Sequence, residues 1–249
     1  RVADMARRLG FGQALGLDLP GESRGLVPTR EWKLATTGVS WQQGETLLTG
    51  IGQGYLLATP LQMAVMTARL VNGGFAVTPY LARRTAASGE TPPRRPPRFA
   101  SLRIAPKHLQ VVHDAMVAVV NSPMGTAFGS RIIGHGFQMG GKTGTVQVRR
   151  ISQQEREQGV RKNKDLPWNK RDHALFVGFC PAAAPRYAAA VVIEHGGSGA
   201  KVAAPIVHDI LLATQRRQAA KPKAGQQVKR APPPASKLRA GNSAAARPR

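Results

Sequence analysis

The sequence contains few of the residues that support several common kinds of site. Its 249 residues include a single cysteine, Cys180, which excludes an intrachain disulfide and argues against a cysteine-based metal site. Only three Trp and three Tyr are present, and they are not interleaved with the basic runs as a base-stacking platform requires. No run of about eighteen apolar residues occurs and no leader pattern precedes a cleavage site, so the residues predict neither a membrane span nor a signal peptide.

Acidic residues are also scarce, since 13 Asp and Glu stand against 36 Lys and Arg and leave a formal net charge of +23. Such a charge attracts phosphates whatever the sequence of a nucleic acid. The distribution of this charge argues against a nucleic-acid-binding domain. Residues 216–249 contain ten Lys or Arg, no acid and many Ala and Pro, which is the composition of a disordered, solvated tail. We therefore predict a folded domain at residues 1–215, a disordered tail at 216–249 and no nucleic-acid partner. A basic nucleic-acid binder is kept as an alternative.

The apolar pattern predicts an α+β fold, a mainly antiparallel sheet flanked by helices. Hydrophobic residues make up 42% of the chain, enough for a sizeable core. Capping and spacing predict helices that begin at Pro60, Pro106 and Ala203. Apolar and β-branched runs predict strands at residues 77–82, 140–148, 173–180 and 187–194, the last two as an antiparallel hairpin. The stripes predicted to face inward include Val112 on the second helix and Ile206, Val207, Ile210 and Leu211 on the last.

The most informative stretch is Lys142-Thr143-Gly144-Thr145, which follows two glycines on a predicted strand. A strand at the rim of a cleft offers unpaired backbone groups to an extended peptide, and Gly144 allows close approach. Lys142 supplies a positive charge that favours anionic ligands. The hydroxyls of Thr143 and Thr145 can donate to a carboxylate, and the backbone N–H of Thr145 can help to hold the oxyanion of a tetrahedral intermediate. Lys-Thr-Gly is the third sequence element of serine acyl-transfer enzymes, so the stretch predicts a site of that chemistry.

Several other stretches of the sequence are consistent with this interpretation. They are residues 16–22 and 25–28, residues 44–72 with Gly-Ile-Gly-Gln-Gly-Tyr and Thr-Pro-Leu-Gln, residues 172–177, and residues 192–199. As a set, over about residues 5 to 215, they resemble the transpeptidase domain of class B penicillin-binding proteins, most closely the penicillin-binding protein 2 group.

The resemblance implies a partial penicillin-binding, β-lactamase-like transpeptidase domain and a serine-type peptidoglycan D,D-transpeptidase of cell-wall elongation. In that reaction a serine attacks the D-Ala-D-Ala end of a stem peptide, D-alanine leaves, and the acyl group passes to an amine on another strand. The resemblance implies Lys142, Thr143, Gly144 and Thr145 as catalytic residues, with Thr143 and Thr145 binding the substrate.

The same resemblance implies a location and a set of partners. The parent protein is expected at the periplasmic face of the bacterial inner membrane, anchored there, with no cofactor. The implied partners are the stem peptide of a lipid-linked peptidoglycan precursor, β-lactams that acylate the same serine, and a membrane glycosyltransferase of the rod-shape machinery.

Two motifs of the family are missing. The Ser-x-x-Lys nucleophile motif and the Ser-x-Asn or Ser-x-Asp motif both lie upstream of the Lys-Thr-Gly triplet in the family. Here the sole Ser-x-x-Lys runs from Ser198 to Lys201, after the triplet, and we interpret it as coincidence. Because the sequence begins at Arg1 within a helical pattern, we expect it to be the carboxyl-terminal part of a longer protein and to be inactive alone. A non-catalytic scaffold that binds peptidoglycan or a partner is the alternative.

The remaining polar residues are interpreted mainly as structural. Residues 50–54 fit neither the dinucleotide nor the nucleotide phosphate loop. His113, Glu194 and His195 are predicted to be structural, whereas Asp172 with His173 is either a simple strand start or a supporting pair near the cleft. No grouping of His, Asp and Glu has metal-ligand spacing, so no metal is predicted.

Overall fold

The computed structural model describes residues 1–17, 19–81, 99–134, 136–149 and 151–220. The helices and strands follow one another in this order: α1 (Val2–Leu9), α2 (Arg30–Thr37), α3 (Gln43–Gly50), α4 (Pro60–Val71), α5 (Pro106–Asn121), β1 (Gly140–Val146), α6 (Gln153–Gln158), β2 (His173–Cys180), β3 (Tyr187–Ile193) and α7 (Ala204–Ala219). A turn of π-helix, Gly199–Ala203, leads into α7. The predicted α+β class is confirmed.

Helix α4 begins where the sequence predicts and anchors the amino-terminal segment. Thr59 and Gln62 form a reciprocal capping box, in which the Thr59 hydroxyl accepts from the Gln62 N–H at 3.1 Å and Gln62 Oε1 accepts from the Thr59 N–H at 3.0 Å. The buried Gln62 amide also donates to the carbonyls of Gln13 and Arg24, at 3.0 and 2.9 Å. One side chain thus caps the helix and ties two loop segments to it.

The three strands form one antiparallel sheet in the order β1-β2-β3, and the predicted hairpin is confirmed. Helix α7 covers one face, where Val207 and Leu211 pack with Phe176. Helices α4 and α5 cover the other, where Met116 packs with Phe179. Since side chains alternate between the faces of a sheet, both faces of β2 are apolar and buried.

Cys180 ends β2 inside this core and is fully buried. Burial raises the pKa of its thiol to about 12, because a thiolate would be desolvated there. The cysteine therefore acts as a small apolar residue rather than as a nucleophile.

The strand predicted at residues 77–82 is wrong for the described residues, 77–81. A single bridge, between Phe75 and Ser101, is present next to it. The Val77 carbonyl accepts from Arg69 Nε at 3.1 Å instead of from a neighbouring strand, and Pro79 offers no N–H to a ladder. The predicted strand at 140–148 is present but ends at Val146.

The predicted inward stripes are correct in part. Val207 and Leu211 are buried, but Ile206 and Ile210 are 38% and 45% exposed, and Val112 on α5 is 39% exposed. Helix α7 lays a single i, i+4 row on the sheet, so the adjacent row of isoleucines faces outward.

The described part of the chain ends within the region predicted as a disordered tail. Helix α7 continues to Ala219, past the predicted boundary at residue 215. Residues 221–249, where the disordered tail is predicted, lie outside the described residues. None of the described helices combines the length and the apolar character that crossing a bilayer demands.

Candidate active site

Strand β1 forms an edge of the sheet and carries all four residues predicted for the site. Among the described strands it pairs only with β2, with Lys142 opposite Val177 and Thr145 opposite Ala174. On its other side, no described strand pairs with β1 along the Lys-Thr-Gly-Thr stretch. An open edge of this kind can accept an extended peptide as an additional strand. We call this side of β1 the open edge.

The backbone groups of Thr143 and Thr145 point out of the open edge. The Thr143 carbonyl accepts from Lys142 Nζ at 2.7 Å, and the Thr145 carbonyl accepts from Gln53 Nε2 at 3.1 Å, so neither is directed at β2. In an antiparallel strand the N–H and C=O of one residue point to the same side. The N–H groups of Thr143 and Thr145 therefore also point out of the open edge.

The side chains of the stretch divide between the two faces of the sheet. The register places Thr143 and Thr145 on the face that carries Phe176, and Lys142 and Gly144 on the opposite face. Lys142 is exposed and bends towards the edge, where its Nζ lies 3.5 Å from the Thr143 hydroxyl. A positive charge and two hydroxyls thus lie beside the outward backbone groups, which is a suitable arrangement for a carboxylate.

A third hydroxyl, that of Thr126, reaches this place from the turn after α5. Thr126 Oγ1 lies 3.3 Å from Thr143 Oγ1. The turn is held close to the helix, because a Cβ on Gly125 would overlap the carbonyl oxygens of Ala118 and Val119. The turn after α5 therefore fixes one neighbour of the Thr143 hydroxyl.

The two glycines that precede Lys142 have a packing role. A Cβ on Gly140 would collide with the ring of Phe179, and one on Gly141 would collide with the ring of Phe176. The rings of β2 fill the space that side chains on β1 would take. The Gly-Gly pair therefore lets β1 lie against two core aromatic residues.

The glycine-rich segment after α3 reaches the open edge through Gln53. Its contact with the Thr145 carbonyl joins residues 92 positions apart in the sequence. The backbone N–H of Gln53 is itself held by the Leu48 carbonyl at 2.8 Å. Gln53 lies within residues 44–72, which resemble the family, but the sequence assigns no role to it or to Thr126. The one sequence signal for Gln53 is a polar residue between two glycines in a loop.

The residues at the start of β2 form a structural cluster. His173 Nδ1 accepts from the backbone N–H of His195 at 2.9 Å, and His195 Nδ1 donates to the Arg171 carbonyl at 2.9 Å. Asp172 is engaged by Asn163, whose amide donates to its carboxylate at 2.9 Å. These contacts fasten residues 163–172 to the turn after β3 and support the strand-start interpretation of Asp172 and His173.

Two other residues also have structural contacts. Ser198 caps the π-turn before α7, where its hydroxyl accepts from the Lys201 backbone N–H at 3.4 Å. His113 packs on Phe179 and its Nε2 donates to the Ala182 carbonyl at 2.8 Å. The packing of His113 agrees with the structural role predicted for it.

The charged segment between β1 and β2, residues 149–171, is folded where it is described, and we call it the charged insertion. Arg149 binds Glu155 through two hydrogen bonds, at 2.6 and 2.7 Å. This pairing lowers the pKa of the Glu155 carboxyl to about 2. Across the described parts of the chain, no three His, Cys, Asp or Glu side chains lie close enough to hold a metal ion.

Comparison with known proteins identifies relatives over most of the chain. The family described as the penicillin binding protein transpeptidase domain matches residues 1–212. The peptidoglycan D,D-transpeptidase MrdA of Acinetobacter baumannii is 40% identical over 221 residues, which cover 87% of this chain and 31% of the relative. MrdA of Escherichia coli K12 is 34% identical over 203 residues, 81% of this chain and 31% of the relative. The chain thus spans about a third of the length of these relatives.

Solved structures give the same correspondence. Penicillin-binding protein 2 of Pseudomonas aeruginosa, in complex with WCK 5153, is 39% identical with a TM-score of 0.67, and the match covers 85% of this chain and 43% of that one. The complex of penicillin-binding protein 2 with MreC from Helicobacter pylori matches at 30% identity and a TM-score of 0.70, covering 88% of this chain and 36% of that one.

Proposed function

Because this chain belongs to the penicillin-binding protein transpeptidase domain family, we propose that it supplies one half of the active site of a peptidoglycan D,D-transpeptidase. The observation that carries the proposal is the open edge of β1. There the outward backbone groups of Thr143 and Thr145 lie beside the charge of Lys142. We assign the transpeptidase to cell-wall elongation, as its MrdA relatives suggest.

The proposed reaction proceeds by two acyl transfers. A serine outside residues 1–249 attacks the carbonyl between the two D-alanines of a stem peptide, the C–N bond breaks, and D-alanine leaves with the serine proton on its amine. An amine of a second stem peptide then attacks the acyl-serine ester, and the serine recovers a proton from that amine. No redox step or cofactor is needed.

The roles of the four site residues follow from the directions of their groups. The hydroxyls of Thr143 and Thr145 bind the terminal carboxylate of the stem peptide, and Lys142 supplies the compensating charge. The outward N–H of Thr145 stabilises the oxyanion that forms at the attacked carbonyl. Gly144, between them, leaves space for the peptide backbone to approach β1.

The partners and location of the whole protein belong to the same proposal. The stem peptide of a lipid-linked precursor is the substrate, β-lactams acylate the same serine, and a membrane glycosyltransferase supplies the glycan strand. The parent protein then works at the periplasmic face of the bacterial inner membrane. Penicillin-binding protein 2 of Helicobacter pylori forms a complex with MreC, which supports a place among cell-shape proteins.

Labelling with a fluorescent penicillin tests the proposed function. We expect the full-length protein to form a covalent adduct, Lys142→Ala to reduce its rate of formation at least about a hundredfold, and the isolated 249-residue chain to form none. The exposed Lys107 on α5 offers a matched control, since Lys107→Ala removes the same charge away from β1. A covalent adduct on the isolated chain would overturn the proposal that the serine nucleophile lies outside residues 1–249. A full-length protein that binds stem peptides but is never acylated would be a scaffold rather than an enzyme.

A further inference from the structure

The loop that follows α3 is shaped to present one side chain. Gly52 and Gly54 have φ angles of +74° and +77°, in the left-handed region that favours glycine, and Gln53 lies between them. Backbone bonds from Gly52 to Thr49 and from Gln53 to Leu48, at 3.1 and 2.8 Å, hold the loop on the end of the helix. The glycines thus define a tight turn with Gln53 at its tip.

Both the helix before this loop and the residue after it are anchored to α2. Trp32 on α2 packs against Tyr55 with ring centroids 5.4 Å apart. On the other side, the buried Lys33 of α2 binds Glu45 of α3 at 2.6 Å. The base of the loop is therefore fixed, and what can change is the direction of the half-buried Gln53 side chain.

The Gln53 amide occupies a specific acceptor. Its Nε2 lies 3.1 Å from the Thr145 carbonyl oxygen, on the open edge of β1. A strand added to this edge pairs with Thr145 through both of its outward groups, so a peptide N–H must donate to the same oxygen. A carboxamide N–H and a peptide N–H are the same kind of donor.

We propose that Gln53 is a built-in substitute for the substrate amide, which holds the Thr145 carbonyl in the empty site and must turn away before a peptide or an acylamino β-lactam can pair with β1. This inference rests on the proposed function. Gln53 thereby selects for ligands that can replace its hydrogen bond. A ligand without an amide N–H leaves Gln53 in place and does not compete with it.

The test is the second-order rate constant of acylation of the full-length protein by two β-lactams. Benzylpenicillin carries a side-chain amide N–H, whereas unsubstituted penicillanic acid has none. Gln53→Ala removes the competing donor, and Gln53→Asn keeps the amide but shortens its reach by one methylene. We expect both variants to react with benzylpenicillin about two- to tenfold faster than the wild type, the range that one exchanged hydrogen bond gives. We expect an unchanged rate with penicillanic acid.

Gln158→Ala, on the exposed surface of α6, is the matched control and should leave both rates unchanged. Thermal midpoints within the error of the wild type would show that the rates are not affected by unfolding. A slower reaction of Gln53→Ala with benzylpenicillin would make Gln53 a brace for the bound ligand and overturn the proposal, as would an unchanged rate or an equal acceleration with both β-lactams. If no protein is acylated at all, the proposed function itself fails, which is a distinguishable result.

Discussion

Gly199 lies directly against the backbone of Gly144, so the turn before α7 closes one face of β1 at the candidate site. A Cβ on Gly199 would overlap the carbonyl oxygens of Gly144 and Leu175. Gly199 is buried, and the overlapping atoms are backbone atoms of two paired strands, which cannot move independently. The turn before α7 therefore packs on β1 and β2 too closely to accept a side chain at position 199.

We predict that Gly199→Ala destabilises the protein by about 1–3 kcal/mol, because the added methyl group forces backbone shifts in β1 and β2. Urea denaturation measures the loss. Gly44→Ala is the matched control, since Gly44 lies in α3 with open space at its Cβ position and the substitution should be neutral or slightly stabilising. If Gly199→Ala unfolds at the same urea concentration as the wild type, the close packing of the turn on β1 is wrong.

The threonine hydroxyl at the open edge gives a second prediction. Thr145 is exposed, and its side chain contributes little to the core. In the full-length protein we expect Thr145→Val to lower the rate of acylation by a penicillin on the order of ten- to a hundredfold, the effect of losing one hydrogen bond to a carboxylate. The thermal midpoint should change little, because valine suits a strand as well as threonine.

Thr145→Ser provides the comparison for that prediction, because it keeps the hydroxyl and removes only a methyl group. Its acylation rate should stay within about threefold of the wild type, a difference of less than 1 kcal/mol. Equal losses of acylation rate and thermal stability in Thr145→Val would count against a ligand-facing hydroxyl and in favour of a packing role.

The sequence predicts those parts of the fold that depend on local signals. The Thr59 cap and Pro60 locate α4, and alternating apolar runs locate β2 and β3, because each signal acts within a few residues. Helices α2 and α3 also begin at local caps, Thr29 before α2 and the Gln42–Glu45 hydrogen bond before α3, but the sequence after each cap is too short to show a helical apolar stripe. Their eight-residue sequences are short, and they are joined by the pair of Lys33 and Glu45, a contact between two elements.

The candidate site is likewise predictable from the sequence only where its residues are adjacent in the chain. The Lys-Thr-Gly-Thr stretch is recognisable because its chemistry lies on four consecutive residues. The partners of that stretch are not, since Gln53 and Thr126 reach it from 92 and 17 positions away along the chain. The outward exposure of Ile206 and Ile210 is not predictable for a related reason, because an apolar helix face does not show which of two adjacent rows the sheet covers.

The pairing of Arg149 and Glu155 joins the end of β1 to the first helix of the charged insertion. The bidentate bond from Arg149 is the main cause of the lowered pKa of Glu155, and the backbone N–H of Arg161 adds a further bond at 3.2 Å. Because the folded pKa is about 2 and the ordinary value is 4.5, the carboxylate stabilises the folded segment fully above pH 4.5. That contribution is lost as the pH falls from 4.5 towards 2.

We therefore expect the Glu155 carboxyl, followed by NMR as a function of pH, to titrate near 2 in the wild type and to move upward towards 4.5 in Arg149→Met, by at least about one unit. Arg156→Met removes an exposed arginine next to Glu155 without touching the bidentate pair, so that variant should titrate close to the wild type. The hydrogen-exchange protection factors of α6, which correct for the intrinsic pH dependence of amide exchange, should fall below pH 4.5 in the wild type, because protonation weakens the bond that closes the segment. In Glu155→Gln the protection factors should be lower at neutral pH and lose this dependence. A wild-type carboxyl that titrates at 4.5, or an Arg149→Met variant that titrates where the wild type does, would show that Arg149 does not hold the insertion at the end of β1.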